Sequence, residues 1–314
     1  MRHRIIFMGT PAYAVPYLEG LIEAGMKPVA VISQPDRPVG RKQLIEPTPV
    51  KACAQKHGIP VLQQENLRTQ HSAEKIRELK ADLIVVVAFG QIIPKSILAL
   101  PPKGCINVHP SLLPRHRGPS PLQETILKGD ARSGVTIMLI DEKVDHGDIL
   151  RQESFSVHAT ETFESLRKKT TTHGVPLLVK TINDWIDGTI TPQAQDDTQA
   201  TYTRLLTRDS GKIDWKLSCE EIERSVRALN PWPGTWTHCG GKRVKILQAQ
   251  SCTTPIANHA PGTIFQSSEM PRQLMIACGR GSLSIERLQM EGKRGLSAHE
   301  FLAGYKEQLG SICD

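Results

Sequence analysis

The sequence predicts an α/β fold: a doubly wound, mostly parallel, Rossmann-like sheet followed by a small antiparallel β-barrel of OB-like outline. Three observations predict it. Apolar β-rich runs at Arg4–Met8, Pro28–Ser33, Asp82–Ala88 and Gly104–His109 alternate with helical stretches, the order that builds a parallel sheet covered on both faces. The pattern then changes across a polar Thr/Gln/Asp-rich stretch from Thr189 to Thr207. Beyond it, short β-rich pieces alternate with glycine turns at Gly240-Gly241, Gly262 and Gly279-Arg280-Gly281. The length of 314 residues is enough for two cores. The expected division is therefore residues 1–188, a linker at 189–207, and a second domain at 208–314.

In chain order, Gly9-Thr10-Pro11 turns the first strand into a helix whose Val15, Leu18, Leu21 and Ile22 share a face and which Gly25 ends. G-x-G-x-x-G is missing from this turn, which argues against a dinucleotide site. Gln34 to Pro49 reads as a long proline-rich loop carrying Arg37, Arg41 and Lys42. Guanidinium and ammonium groups on such a loop suit phosphate oxygens. Thr48-Pro49 starts a helix that Gly58 stops, Ile59–Leu62 is a strand, and Ala73–Leu79 a helix. Asp82–Ala88 is the expected central strand. At its carboxyl end, backbone groups of Phe89-Gly90-Gln91 suit a planar heterocycle, with Phe89, Ile92 and Ile93 as apolar walls.

Pro94–Leu100, the segment from Ser120-Pro121 to Gly129, Glu161–Lys169 and Pro176–Ile186 read as four separate helices. Ser218-Cys219-Glu220-Glu221 fits a capping box and opens a helix with Ile222, Val226 and Leu229 on its apolar face. Asn230-Pro231-Trp232-Pro233 breaks that helix, and Ala298–Tyr305 is a closing helix. Lys242, Arg243 and Lys245 share one β piece and are candidates for phosphate contact.

Composition sets broad bounds. A net charge of +7 permits a polyanionic partner without demanding one. Seven cysteines at irregular spacings, with neither CxxC nor a metal-ligand pattern, read as reduced thiols of a cytoplasmic protein. The start at Met1-Arg2-His3-Arg4 and the lack of a long uncharged apolar run give the expectation of no export signal and no membrane span. A monomer is expected.

The candidate chemistry lies in Gly104–Gly118. Residues two apart in a strand share a face, so Asn107 and His109 sit side by side while Ile106 and Val108 face apolar packing. An amide donor and an imidazole at a strand end suit a carbonyl whose oxygen becomes negative. A second β-rich run, Gly134–Asp141, leads into Val144-Asp145-His146-Gly147-Asp148. If the two strands are parallel neighbours, both loops open on one rim and Asp145 reaches His109. Cys105 shares the Asn107 face, but a buried thiol is more often inert.

Asn107, His109, the run Ser111-Leu112-Leu113-Pro114 and Asp145 together resemble the signature of the folate-dependent formyltransferases. Phe7-Met8-Gly9-Thr10-Pro11, Gln34-Pro35-Asp36-Arg37-Pro38, Val85–Pro94 and Ile213-Asp214-Trp215 extend the resemblance over nearly the whole chain, to the branch that acts on aminoacylated tRNA. The resemblance implies formyl transfer from 10-formyltetrahydrofolate to the α-amine of methionyl-initiator tRNA, with no metal. Asn107 and a protonated His109 would stabilise the oxyanion, and Asp145 would orient His109 and help move the amine's proton. Ser111, Leu112, Leu113 and Pro114, with Phe89, Gly90, Gln91 and Ile92, would bind the folate. Arg37, Arg41 and Lys42, with Lys242, Arg243 and Lys245, would contact tRNA. His116 and His146 stand where the family more often has an aromatic and a small residue. Sugar-nucleotide formyltransferases, a formyl-folate hydrolase and a non-catalytic RNA-binding protein on the same scaffold are the competing readings.

Overall fold

A computed structural model describes residues 3–40, 43–253, 259–266 and 273–314. The chain divides into two compact units, Met1–Pro121 with Arg132–Ser156 and Arg167–Thr203, and Leu122–Ala131 with Val157–Leu166 and Arg204–Asp314.

In chain order the elements are β1 (Ile5–Gly9), α1 (Val15–Glu23), β2 (Ala30–Ser33), β3 (Arg37–Val39), β4 (Leu44–Glu46), α2 (Pro49–Lys56), β5 (Val61–Gln63), α3 (Gln70–Glu78), β6 (Leu83–Val87), α4 (Lys95–Leu98), β7 (Cys105–His109), α5 (Pro121–Leu127), β8 (Arg132–Leu139), β9 (Ile149–Ser156) and α6 (Phe163–Ile186). There follow α7 (Cys219–Leu229), β10 (Thr235–Cys239), β11 (Lys242–Cys252), β12 (Ile264–Gln266), β13 (Leu274–Ala277), β14 (Ser282–Met290), β15 (Gly295–Ser297) and α8 (Ala298–Gly304).

The first unit is built on a sheet of order β5-β2-β1-β6-β7-β8-β9. Strands β5 to β7 are parallel, while β8 and β9 run antiparallel. The parallel strands are apolar on both faces because helices cover both. Ile6, Met8, Ile32, Ile84 and Val86 pack with Ala73 and Ile76 of α3 and Ile97 of α4. Thr48 caps α2 by accepting the Lys51 N–H, and Pro49 follows at the first helical turn, as the sequence predicts. At the carboxyl rim, the Thr10 hydroxyl donates to the Phe89 carbonyl at 2.9 Å and accepts the Gln34 N–H at 3.3 Å, tying the ends of β1, β2 and β6 together.

Three expectations need correction here. The strand of Asn107 and His109 and the strand leading to Asp145 are neighbours, but antiparallel, with Ile106 opposite Leu139 and His109 opposite Thr136. The expected long loop contains the β3–β4 hairpin, which pairs Arg37 with Glu46 and Pro38 with Ile45. The two helices expected within 161–186 are one continuous α6 with Pro176 inside it. Proline removes one helical N–H, but the flanking Leu177, Leu178 and Ile182 are buried, and that packing overrides the local break. The stretch 189–203 bonds to the first unit: Gln193 exchanges backbone hydrogen bonds with Ile149, and the Arg117 N–H donates to the Thr201 carbonyl.

The second unit is a curled antiparallel sheet of order β10-β11-β14-β13-β12, with β15 beside β14, matching an OB-like half-barrel. Gly240 and Gly241, at φ +56° and +73°, form the two-residue turn between β10 and β11, where both central residues need positive φ. Ser218 and Glu221 form the predicted capping box of α7, and Ile222, Val226 and Leu229 are buried. The Trp215 indole is buried and donates to the Thr237 hydroxyl at 2.9 Å. Arg224 donates to the Leu127 carbonyl at 3.0 Å and Arg227 to the Glu161 carbonyl at 2.6 Å, which fastens 122–131 and 157–166 to α7. The cysteines are not all thiols: Cys239 and Cys313 form a disulfide, because β10 and the chain's end pair as adjacent backbone segments. Among the described residues no helix is long and apolar enough to cross a membrane.

Candidate active site

β7 places its side chains as the two-residue period requires. Ile106 and Val108 are buried on one face, and on the other Asn107 is half-buried and His109 buried. The His109 Nε2 donates to the His116 carbonyl at 2.9 Å. A carbonyl accepts and never donates, so this bond assigns the Nε2 proton and turns Nδ1 towards Asp145, whose Oδ2 lies 3.6 Å away. The Asp145 Oδ2 also accepts the Gly118 N–H at 2.8 Å, and Oδ1 faces the Asn107 amide nitrogen at 3.5 Å. Amide, imidazole and carboxylate thus meet in one place. The arrangement can donate hydrogen bonds to a developing oxyanion and move a proton beside it.

The loop that delivers Asp145 is built for the return. Asp145 sits at φ +48°, in the left-handed region. At Gly147 a Cβ would lie 2.0 Å from the Leu139 carbonyl oxygen, so a residue without a side chain is required for the loop to fold back onto β8. The Leu139 N–H donates to the Asp148 carbonyl at 2.9 Å and secures that fold-back.

Residues 2–182 match the profile of the Formyl transferase family, and residues 205–306 match that of its C-terminal domain. A methionyl-tRNA formyltransferase of Citrifermentans bemidjiense is 45% identical over 309 residues, covering 98% of this chain and 96% of that protein. Another, from Geotalea daltonii, is 45% identical over 308 residues, covering 98% and 97%. The chain belongs to the methionyl-tRNA formyltransferase family.

Solved structures carry the fold further afield. An N-formyltransferase from Helicobacter canadensis, in complex with folinic acid and dTDP-3-aminofucose, superposes with a TM-score of 0.68 at 21% identity, over 92% of this chain and 99% of that one. HypX from Aquifex aeolicus, in complex with tetrahydrofolic acid, gives 0.66 at 17% identity, over 98% of this chain and 48% of that one.

Around the cluster of Asn107, His109 and Asp145, other predicted residues are placed less simply. Ser111 donates through its hydroxyl to the Arg115 carbonyl at 2.6 Å, and its own carbonyl accepts from Thr136 at 2.7 Å. Leu113 is buried, its N–H bonded to the Thr136 hydroxyl and its carbonyl to Gln152, ahead of a cis bond to Pro114. Leu112 and Pro114 are half-buried. The run therefore uses these polar groups to shape the wall beside β7 and β8. Phe89 is buried in the core, with its carbonyl accepting from both Thr10 and Gln34. Gln91 bonds the Leu67 N–H and the Gln64 carbonyl. Gly90 is exposed at φ +85°, and Ile92 is 70% exposed. Gln91 and Ile92 line a cleft of about 250 Å³ with Gln34, Arg37, Glu65, Asn66 and Arg68.

Among the predicted tRNA contacts, Arg41 and Lys42 lie outside the described residues. Arg37 is exposed and pairs with Glu65 at 3.2 Å. In the second unit, Lys242 is exposed at the β-turn. Arg243 and Lys245 alternate with the buried Val244 and Ile246, and the Arg243 guanidinium stacks over Trp236, 4.0 Å from its centroid. The Cys105 thiol is buried with the core, and burial pushes it up to about 12, which makes it a poor nucleophile.

Sequence reasoning missed the groups that fix the triad: the His116 carbonyl, the Gly118 N–H, and Gln195, which donates to the Asp145 carbonyl at 2.9 Å and the Gly147 carbonyl at 2.8 Å. Gln195 fell in a stretch that reads as polar linker. No local pattern marks it.

Proposed function

We propose that the chain transfers the formyl group of 10-formyltetrahydrofolate to the α-amine of methionine esterified to initiator tRNA, giving N-formylmethionyl-tRNA. The observation that carries the reading is the convergence of Asn107, His109 and Asp145, with Oδ2 of Asp145 3.6 Å from Nδ1 of His109 and Oδ1 3.5 Å from the Asn107 amide. The identity of the family relatives supports the choice of substrates.

In this reading the attacking amine and the formyl carbon meet in front of Asn107. The Asn107 amide donates to the formyl oxygen as it gains charge, and the protonated His109, its two N–H groups held by the His116 carbonyl and Asp145, stabilises that oxygen by its nearby positive charge. Donors fixed before the reaction act most strongly where charge develops. Asp145 keeps the His109 ring in place and accepts the proton that the amine loses, directly or through water; the oxyanion then collapses, the bond from the formyl carbon to the folate N10 breaks, and N10 takes up that proton as tetrahydrofolate leaves. The Gly118 N–H holds the carboxylate in place meanwhile. The reading needs no metal ion. Leu112, Pro114 and Ile92 offer apolar surface to the folate, and Arg37, Arg41, Lys42, Lys242, Arg243 and Lys245 contact tRNA phosphates. The protein works as a monomer in the cytoplasm.

The test is direct. The protein is incubated with 10-formyltetrahydrofolate and with methionyl-tRNA of initiator or elongator type, and N-formylmethionine is measured after deacylation. Formylation of the initiator form alone is expected. Formylation of an amino sugar nucleotide instead, or release of formate without an acceptor, would replace the reading with one of its competitors.

A further inference from the structure

Arg117 is among the largest fully buried side chains, 1% exposed, and its charge is matched entirely within its own unit. Its Nε and Nη2 both donate to the Gln195 Oε1, at 3.0 and 2.9 Å; Nη2 also reaches the Asp197 carboxylate at 2.8 Å and Nη1 the Tyr202 hydroxyl at 3.1 Å. Burial opposes the charge, but the bonds to Asp197 and Tyr202 outweigh it and raise the guanidinium above its ordinary value.

This fork has a consequence for Gln195. A guanidinium only donates, so the Gln195 oxygen must face Arg117 and the amide cannot flip. Its NH2 group is thereby aimed the other way, at the carbonyls of Asp145 and Gly147, 2.9 and 2.8 Å distant. Arg117 also lies between the two backbone groups that fix the other members of the site: the His116 carbonyl holds His109 and the Gly118 N–H holds the Asp145 carboxylate. One tripeptide therefore carries three separate constraints on the site.

We infer that Arg117 and Gln195 are positioning residues, which hold the Asp145 loop in its left-handed conformation so that the carboxylate meets His109. The inference rests on the formyl-transfer reading and names what keeps that site assembled. Neither residue touches the reacting atoms.

The test is Gln195→Glu. The new carboxylate still accepts the Arg117 fork, so the buried cation keeps its partner. Its other oxygen then faces two carbonyls, acceptor against acceptor, and the loop is pushed away. A displacement on the order of 1 Å at a reacting group is associated with about a hundredfold loss, so a kcat about 10- to 100-fold lower is expected. KM for folate and tRNA stays within about threefold and the melting temperature within a few degrees, because only the approach of Asp145 changes. In an Asp145→Asn background the same substitution costs less than about threefold, since the group it positions is already disabled. Arg117→Lys keeps the charge but loses the fork, and gives the same pattern if Gln195→Glu proves unstable. Full kcat in both single variants, or an equal fold-loss of Gln195→Glu in both backgrounds, overturns the inference. Absence of formyl transfer by the wild-type protein would instead overturn the function reading, and this inference with it.

Discussion

Asp145→Asn isolates the carboxylate's charge with almost no change in shape. In the wild-type chain Oδ2 lies 3.6 Å from the His109 Nδ1. With His109 protonated, as the proposed chemistry has it, opposite unit charges at that separation attract by about 4–5 kcal/mol at an effective dielectric of about 20. The Asp145 side chain is 18% exposed, so solvent weakens this. Retaining about half, 2–3 kcal/mol, corresponds to a fall of about 30- to 200-fold in the rate of formyl transfer. Geometry adds a conflict. If the new amide keeps its oxygen on the Gly118 N–H, its NH2 group opposes the Asn107 NH2, donor against donor, where an oxygen now stands at 3.5 Å. The stability cost is that of one weakened charge-assisted hydrogen bond, about 1 kcal/mol.

The assay is steady-state formylation at constant pH with each substrate varied in turn up to saturation, alongside a thermal melt. The expected result is a large loss in the rate with a melting temperature lowered by a few degrees. A rate within threefold of wild type would refute the reasoning, because the charge would then contribute nothing at the transition state. A loss confined to the KM for folate would refute it differently, by making Asp145 a binding residue.

Asn107→Ala removes the amide donor, and His109→Ala the imidazole, of the proposed oxyanion site, and each should lower kcat on the order of a hundredfold or more with the fold intact by circular dichroism. Gly147→Ala places a Cβ 2.0 Å from the Leu139 carbonyl oxygen, so the Asp145 loop must move. It should lose about 2 kcal/mol or more of stability in a denaturant melt, together with most activity. Glu300, in the capping box of α8, is held at about 2, below its ordinary 4.5, first by the Ser297 N–H, then by Arg294 and the Ser297 hydroxyl. Its folded value is depressed, so its contribution is complete above about pH 4.5 and is lost as pH falls towards 2. The melting-temperature difference between wild type and Glu300→Gln should therefore shrink on acidification over that interval. Arg41→Ala should raise the KM for methionyl-tRNA and leave the KM for folate unchanged in steady-state kinetics.

The site was legible where a local period decides it. Two-residue alternation put Asn107 and His109 on one face and Ile106 and Val108 on the other, and the structure has that arrangement. Ser218-x-x-Glu221 and Thr48-Pro49 were readable for the same reason, since a cap is satisfied within one helical turn. Strand direction was not readable. The run Gly134–Met138 is buried on both faces and looks alike in a parallel or an antiparallel sheet. Pro176 misled in the opposite sense, because the packing of Leu178 and Ile182 holds the helix together across it. The partners of Arg117 lie 78, 80 and 85 residues away, beyond the reach of any window.

The antiparallel pairing of β7 with β8 explains why the site needs so much support. In a parallel pair, the loop after β8 would emerge beside His109. Here Leu139, the last residue of β8, lies opposite Ile106, three residues back along β7. At about 3.3 Å per residue that is roughly 10 Å from His109; the Ile140 N–H still bonds the Cys105 carbonyl of β7, and residues 141–147 must then recover the distance with no backbone hydrogen bond to a strand. A loop of this kind has little intrinsic preference for one conformation, and Asp145 adds the cost of a left-handed backbone. The missing ladder is replaced by bonds from other segments: the Gly118 N–H on the carboxylate, Gln195 on the carbonyls of Asp145 and Gly147, and the Leu139 N–H on Asp148. The Asp145 carboxylate is thus placed by its neighbours and not by its own strand, and for that reason substitutions at Gln195 and Arg117 should register in kcat before they register in stability.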